Sequence, residues 1–230
     1  MASMERLNDQ GREIQALLKL EHPPIAVSFT DEVPRGVKSA VGPVPSGCVF
    51  WFKAFDGEFY TTREDHANCN IGSFTHGFTE PSQMSPDACA DIGMMVQAEY
   101  LRLSDLASVP RMKKASKYVV YAPLRSASLE PQVVLIVCNA EQAMLISEAS
   151  GTTKTLGKPT CSAIPYALDK DEVAISLGCI TSRVRTGLKP GELIVTVPRR
   201  RLDAFVARLG RTARSNDAVS RAVAAMLLDR

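Results

Sequence analysis

Residues 48–78 read CVFWFKAFDGEFYTTREDHANCNIGSFTHGF, and this stretch decides the fold because it recurs in weaker form at residues 161–188, CSAIPYALDKDEVAISLGCITSRVRTGL. Laying Cys161 on Cys48 pairs Ala167 with Ala54, and an acidic turn follows in both copies. A short strand-like run comes next, Glu58–Thr62 in one and Glu172–Leu177 in the other, and then a second cysteine, Cys69 or Cys179. Past that cysteine Gly77–Phe78 lies opposite Gly187–Leu188, once a gap has been placed between the cysteines. Glycine makes up only about 7% of average sequence, so joint coincidence of cysteines, alanine and glycine points to an internal duplication. Two copies packed about a pseudo-twofold axis bring equivalent positions together near that axis. Four thiols, Cys48, Cys69, Cys161 and Cys179, are then expected to converge.

The rest of the chain, 230 residues in all, is long enough to bury roughly 70% of its extended surface in a proper core. Hydrophobic residues at 45% and charged ones at 23% are ordinary for a globular protein. The net charge of +2 is unevenly spread: residues 199–230 hold eight arginines and three aspartates. Their helical spacing makes those arginines the solvated face of a helix, so nucleic acid is not the expected partner. The first residues mix charges of both signs and lack an apolar h-region, and no run is long enough for a spanning helix. A cytoplasmic protein is expected. In a reducing compartment, six cysteines at long, irregular spacing point away from a disulfide framework and towards metal, catalysis or burial.

In chain order, residues 5–20 read as a helix ended by His22-Pro23-Pro24, and Ile25–Phe29 as a strand. Residues 31–47 are loop, and 48–55 either a short helix or a strand. Asp56-Gly57 is a turn, 58–62 a strand, and 63–77 a polar loop. Ser85-Pro86-Asp87 predicts a helix running to about Leu103 with Cys89, Ile92, Val96 and Leu103 turned inward. A strand follows at 117–122. Pro131–Cys138 repeats the pattern of Pro23–Thr30, and a helix over 140–149 precedes a loop reaching Pro159. Leu193–Val197 is a strand. A helix from Leu202 ends at Gly210, and a last one over 216–228, capped by Asn216, buries Val219, Val223, Met226 and Leu227. The expected fold is α+β, one domain over 1–230 with two pseudo-symmetric halves, about 21–122 and 130–210, sharing one core.

Four thiolates about one centre suit zinc or an iron-sulfur cluster. Structural zinc sites generally use short C-x2-C knuckles, whereas here the intervals are C-x20-C and C-x17-C. A bulkier cluster can take ligands from separate loops, 4Fe-4S favoured over 2Fe-2S, with Gly72 and Gly178 letting backbone N–H groups approach. His66 and His76 flank Cys69 and face Ser176 and Thr186 in the second copy, so they break the symmetry and are the candidate catalytic residues, as proton donors or ligands. The rival chemistry is a metal-free cysteine enzyme with Cys69 as nucleophile and His66 or His76 as base; a small-molecule binding module is the other alternative. Cys89, Cys138 and His22 read as structural. Residues 151–158, GTTKTLGK, miss the phosphate-loop spacing. Arg183 and Arg185 offer either an anion site or solvated charge. The expected partner is a small-molecule substrate or a redox partner, with no membrane involved and a homo-oligomer left open.

LEHPPIAVSF at residues 20–29, the two cysteine pairs and LGCITSR at 177–183 resemble the domain of unknown function 169 family of bacteria and archaea. The resemblance covers nearly the whole chain. It implies a stand-alone prokaryotic cytosolic protein and makes the four cysteines a set; cluster binding is read from the residues alone.

Overall fold

Apolar runs that follow a proline or a turn become the central strands of one eight-stranded mixed sheet in this computed structural model, which describes residues 2–228 apart from Val41 and Ala88. The strands are β1 (Ile25–Thr30), β2 (Lys38–Ser39), β3 (Phe59–Thr61), β4 (Tyr118–Pro123), β5 (Val133–Cys138), β6 (Thr153–Leu156), β7 (Val173–Ser176) and β8 (Leu193–Pro198). Their spatial order is β2-β3-β4-β1-β5-β8-β7-β6. Every residue of β5 is buried, as a central strand covered on both faces requires. Only the outermost pairs, β2·β3 and β6·β7, run parallel.

The helices are α1 (Ala2–Leu18), α2 (Val49–Lys53), α3 (Asn70–Thr75), α4 (Ala90–Gln97), α5 (Ala140–Ser150), α6 (Ala163–Lys170), α7 (Ile180–Arg185) and α8 (Arg199–Leu228). Strand alternation divides the core in two. Ala26, Ala122, Val134, Ile136, Val195 and Val197 face α1, α5 and α8. Ile25, Val27, Val119, Tyr121, Leu135 and Ile194 face the other way, onto the segments that carry Cys48 and Cys161. A third cluster, with Phe74, Met84, Ile92, Met95 and Leu106, builds a separate cover from α3 and the residues between it and β4.

The pairing registers repeat from one side of the sheet to the other. Ala26 stands opposite Val134 in the central antiparallel pair. Ile25 pairs with Pro123 on one side, and Val133 with Pro198 on the other. Further out, Thr61 pairs with Val119 and Ser176 with Ile194. The outermost parallel pairs join Lys38 to Phe59 and Lys154 to Ala174.

Several expected boundaries are corrected. The 63–77 stretch is not loop: a 3-10 turn over Glu64–His66 and helix α3 fold it back against the sheet. The helix expected over 85–103 is the shorter α4, because Glu99 enters the left-handed region at φ 54° and ends it; Leu103 is 44% exposed and opens a 3-10 helix instead. Residues 153–156, expected as loop, form the edge strand β6. The two helices expected on either side of Gly210 are the single α8, since one glycine costs a helix only about 1 kcal/mol among good helix formers. Asn216 caps nothing; its amide bonds Glu148 and the Thr212 carbonyl from mid-helix. Val219, Val223, Met226 and Leu227, expected inside, are half to two-thirds exposed, because α8 outruns the sheet beneath it.

Helix α1 crosses the end of β4 so closely that an added Cβ at Gly11 would lie 2.7 Å from the Arg125 backbone nitrogen. At Gly210 the nearest atom to such a Cβ is 3.6 Å away, on a flexible arginine. Gly210→Ala is therefore expected to stabilise the protein by up to about 1 kcal/mol, and Gly11→Ala to destabilise it by about 1–3 kcal/mol through overpacking. Urea unfolding midpoints of the two variants check this; equal shifts would contradict the packing.

Candidate functional site

Each of the four paired cysteines sits where a short helix begins. Cys48 directly precedes α2, and Cys161 lies in the 3-10 turn Thr160–Ser162 that leads into α6. Cys69 and Cys179 are the N-cap residues of α3 and α7, the helices that follow β3 and β7. All four line one cavity of about 510 Å³. Cys48, Cys69 and Cys161 are buried, while Cys179 is partly exposed. No three of these sulfurs come within 4.8 Å of one another; among the described residues only Glu21, His22 and Glu192 bring ligand atoms that close, and the Lys189 ammonium already bonds Glu21 at 2.6 Å.

The thiols differ in acidity for physical reasons. Burial, and then the neighbouring Cys161, Cys179 and Cys69, push the Cys48 thiol well up, against a weaker pull from Ser46. Burial and Cys69 raise Cys161 in the same way, with Thr75 opposing. At Cys179 burial also raises, but hydrogen bonds from Thr160 and Ser182 outweigh it and the thiol falls below its ordinary value. The Ser182 N–H reaches the Cys179 Sγ at 3.4 Å, as a cap should.

His66 and His76 are not solvated loop residues: they are 0% and 3% exposed, with ring centroids 5.1 Å apart. His76 lines the cavity; His66 does not. His76 Nδ1–H donates to the Gly72 carbonyl at 2.9 Å, which leaves Nε2 to accept from the Tyr121 hydroxyl at 3.4 Å. Thr61 Oγ1 donates to the Val119 carbonyl and so accepts from His66 Nε2–H at 3.0 Å. His66 Nδ1 is left buried without a partner, pressed towards Gly47, where a Cβ would lie 3.3 Å away. Burial holds both imidazoles neutral, with His76 lowered to about 4 and His66 well below its usual range, the latter also by His76.

The cavity has a roof that sequence reasoning missed. Met95, Tyr100, Leu101, Leu106 and Val109 close it from the segment between α3 and β4. The Tyr100 hydroxyl accepts from the Ile180 N–H at 3.2 Å, beside Cys179. Lys158 Nζ lies 3.7 Å from the centre of the Tyr100 ring and donates to the Tyr100 carbonyl. One signal was available: some forty residues separate Phe78 from β4, while Leu188 nearly abuts β8.

Residues 13–208 match the family described as uncharacterised ArCR, domain of unknown function 169. The chain belongs to that family. No curated protein and no solved structure matches this DUF169 chain. Among its described helices none is long and apolar enough to cross a membrane.

Among the other sequence candidates of this DUF169 protein, Gly72 and Arg185 line the cavity, and Cys89, Cys138, Gly178, His22 and Arg183 do not. Cys138 ends β5 inside the core under α5, where burial raises its thiol to about 12. Cys89 packs in the roof cluster and donates to the Gln83 carbonyl. The Gly178 N–H is taken by Ser176 at 3.3 Å, and only Gly72 of the two expected glycines lines the cavity. His22 stacks on Phe55 at 4.2 Å. Arg183 braces a turn by donating to the carbonyls of Lys189, Pro190, Leu177 and Glu192, whereas Arg185 reaches the cavity.

Proposed function

We propose that this protein binds an iron-sulfur cluster, 4Fe-4S rather than 2Fe-2S, through Cys48, Cys69, Cys161 and Cys179, and uses it for redox or sulfur-linked chemistry on a small molecule. The observation that carries this reading is that four cysteines far apart in sequence, each at the start of a different short helix, line one cavity. Their spacing favours a cluster over a single ion. A tetrahedral zinc with Zn–S of about 2.3 Å holds its sulfurs about 3.8 Å apart, closer than any three of these sulfurs lie. A cluster spreads its thiolates over several irons and suits the wider arrangement. Gly72 fits the same picture: a Cβ there would come within 2.7 Å of the Cys69 sulfur, so the position is kept clear beside a ligand.

We also infer that the two halves arose by duplication. In support, the sequence match of Pro23–Thr30 with Pro131–Cys138 equates Ala26 with Val134, the two residues that face each other in the central pair. The neighbouring pairs Ile25·Pro123 and Val133·Pro198 hold corresponding places on either side of it, the flanking strands lying 75 residues apart in sequence (123 to 198) where the central ones lie 108 apart (25 to 133). Ala54 and Ala167, like Phe78 and Leu188, are buried in one shared cluster. The cluster would then bridge the two copies, with His76 and Tyr121 on one side alone as the proton-handling groups. Six free cysteines accord with a reducing cytoplasm.

A metal-free thiol enzyme is the second reading, and one observation moves its nucleophile. Cys69 is 7% exposed and meets Ser46 rather than a histidine, while Cys179 is partly exposed and lowered in pKa. Anaerobic purification separates the two. The cluster reading expects coloured protein with about four irons and four acid-labile sulfides per chain. Colourless, metal-free protein from cells able to assemble clusters, with one thiol alkylating fast at Cys179, would install the second reading in its place.

A further inference from the structure

We infer that the cavity beside the four cysteines is a binding site for a small organic carboxylate, held by its charged end at Arg185 and Lys154 and by its apolar body under the roof. This deepens the function proposed above, since it names the class of molecule that would meet the cysteine floor.

Size comes first. A cavity of about 510 Å³ lies within the range of small-molecule sites. Eight cluster atoms at the ~30 Å³ that a water occupies would fill roughly half of it, leaving space for on the order of ten further heavy atoms.

Charge selects the ligand's polar end. Five charged side chains line the cavity: Lys154, Lys158, Arg185, Asp91 and Asp105. Both carboxylates are engaged, Asp91 by the Asn70 amide at 2.5 Å and Asp105 by Arg102 at 3.7 Å. No cation of the three has a carboxylate partner among the described residues. Lys158 is occupied with Tyr100, so Lys154 and Arg185 are the available pair. One nitrogen of Arg185 donates to the Pro45 carbonyl at 3.0 Å, which fixes the guanidinium over the segment leading to Cys48. That leaves most of its five donors for a planar, bidentate acceptor, the geometry a carboxylate offers.

The apolar end follows from the roof. Met95, Leu101, Leu106 and Val109 present side chains to the cavity with no polar group among them. A bare inorganic anion would leave that surface wet, and a neutral alcohol would leave Arg185 without a charged partner. A molecule with both features satisfies the two walls at once.

Calorimetric titration of the full chain, purified anaerobically, with hexanoate, benzoate, hexanol and inorganic phosphate tests this. Hexanoate and benzoate are expected to bind at least about tenfold more tightly than hexanol or phosphate. Arg185→Gln should weaken hexanoate about tenfold or more and Arg185→Lys less. Because Arg185 also ties down the Pro45 segment, Lys154→Gln serves as the second variant; Lys154 is exposed and unpartnered, and its loss should weaken hexanoate by a few-fold without touching the fold. Hexanol binding as tightly as hexanoate, neither carboxylate binding, or both variants leaving hexanoate unchanged would overturn the inference. Iron content of the same samples keeps the two readings separate. Metal-free protein that discriminates hexanoate from hexanol removes the cluster and keeps the carboxylate site; iron-loaded protein that does not discriminate does the reverse.

Discussion

Replacing Cys161 by alanine is expected to strip the protein of iron while leaving it folded. Cys161 is buried in the cluster beneath the sheet, and its thiol is held protonated by burial and by the neighbouring Cys69. In the metal-free chain, alanine deletes one sulfur from the wall of the cavity and costs about 1–2 kcal/mol. With a cluster present, the same change removes one of its four anchors. Iron per chain should fall at least about tenfold, with the far-ultraviolet circular dichroism unchanged. Cys48→Ala and Cys69→Ala should do the same. Cys138→Ala supplies the control, being equally buried yet on the opposite face of the sheet. Equal iron in Cys161→Ala and Cys138→Ala would remove Cys161 from the ligand set.

The buried histidine pair should make the fold sensitive to acid. An unfolded histidine titrates near 6.5, whereas His76 in the folded chain is lowered to about 4 by burial, partly opposed by the Gly72 carbonyl. Above pH 6.5 the imidazole is neutral in both states and the stability is fully present. As pH falls from 6.5 through about 4, the unfolded chain takes up a proton that the folded chain refuses, so stability drops. The loss from His76 is on the order of 3 kcal/mol at full extent, and His66, also lowered by burial, adds in the same direction. Urea midpoints of metal-free protein should therefore fall between pH 7 and pH 5, and more gently in His76→Gln. A flat profile in the native sequence, or an unaltered slope in the variant, would mean that the histidines reach solvent.

Much of this architecture was legible because apolar runs behind prolines have few alternatives. Ile25–Phe29 and Val133–Cys138 fell where strands β1 and β5 stand, and they are the pair at the centre of the sheet. Edges were harder. Thr153–Leu156 is half-buried at its two ends and exposed at Lys154 and Thr155, so β6 carries little hydrophobic signal and depends on pairing with β7. Helices α3 and α7 are six residues each, too short for periodicity to register, and are set by the caps at Cys69 and Cys179. That brevity also hid the histidines: TTREDHANCN reads as polar surface, yet the 3-10 turn folds His66 under the sheet. The apolar stripe at the end of α8 misled in the opposite sense, because a periodic pattern predicts a face without saying what lies against it. The cysteine set follows from matching residues 48–78 with 161–188, and all four cysteines line one cavity.

The most direct measurement is the iron anomalous signal in a crystal of anaerobically purified protein. The account predicts peaks from a compact group of irons in the cavity floor, within bonding distance of the sulfurs of Cys48, Cys69, Cys161 and Cys179. Iron that is absent there, or found only at an exposed site such as Glu21, His22 and Glu192, would contradict it.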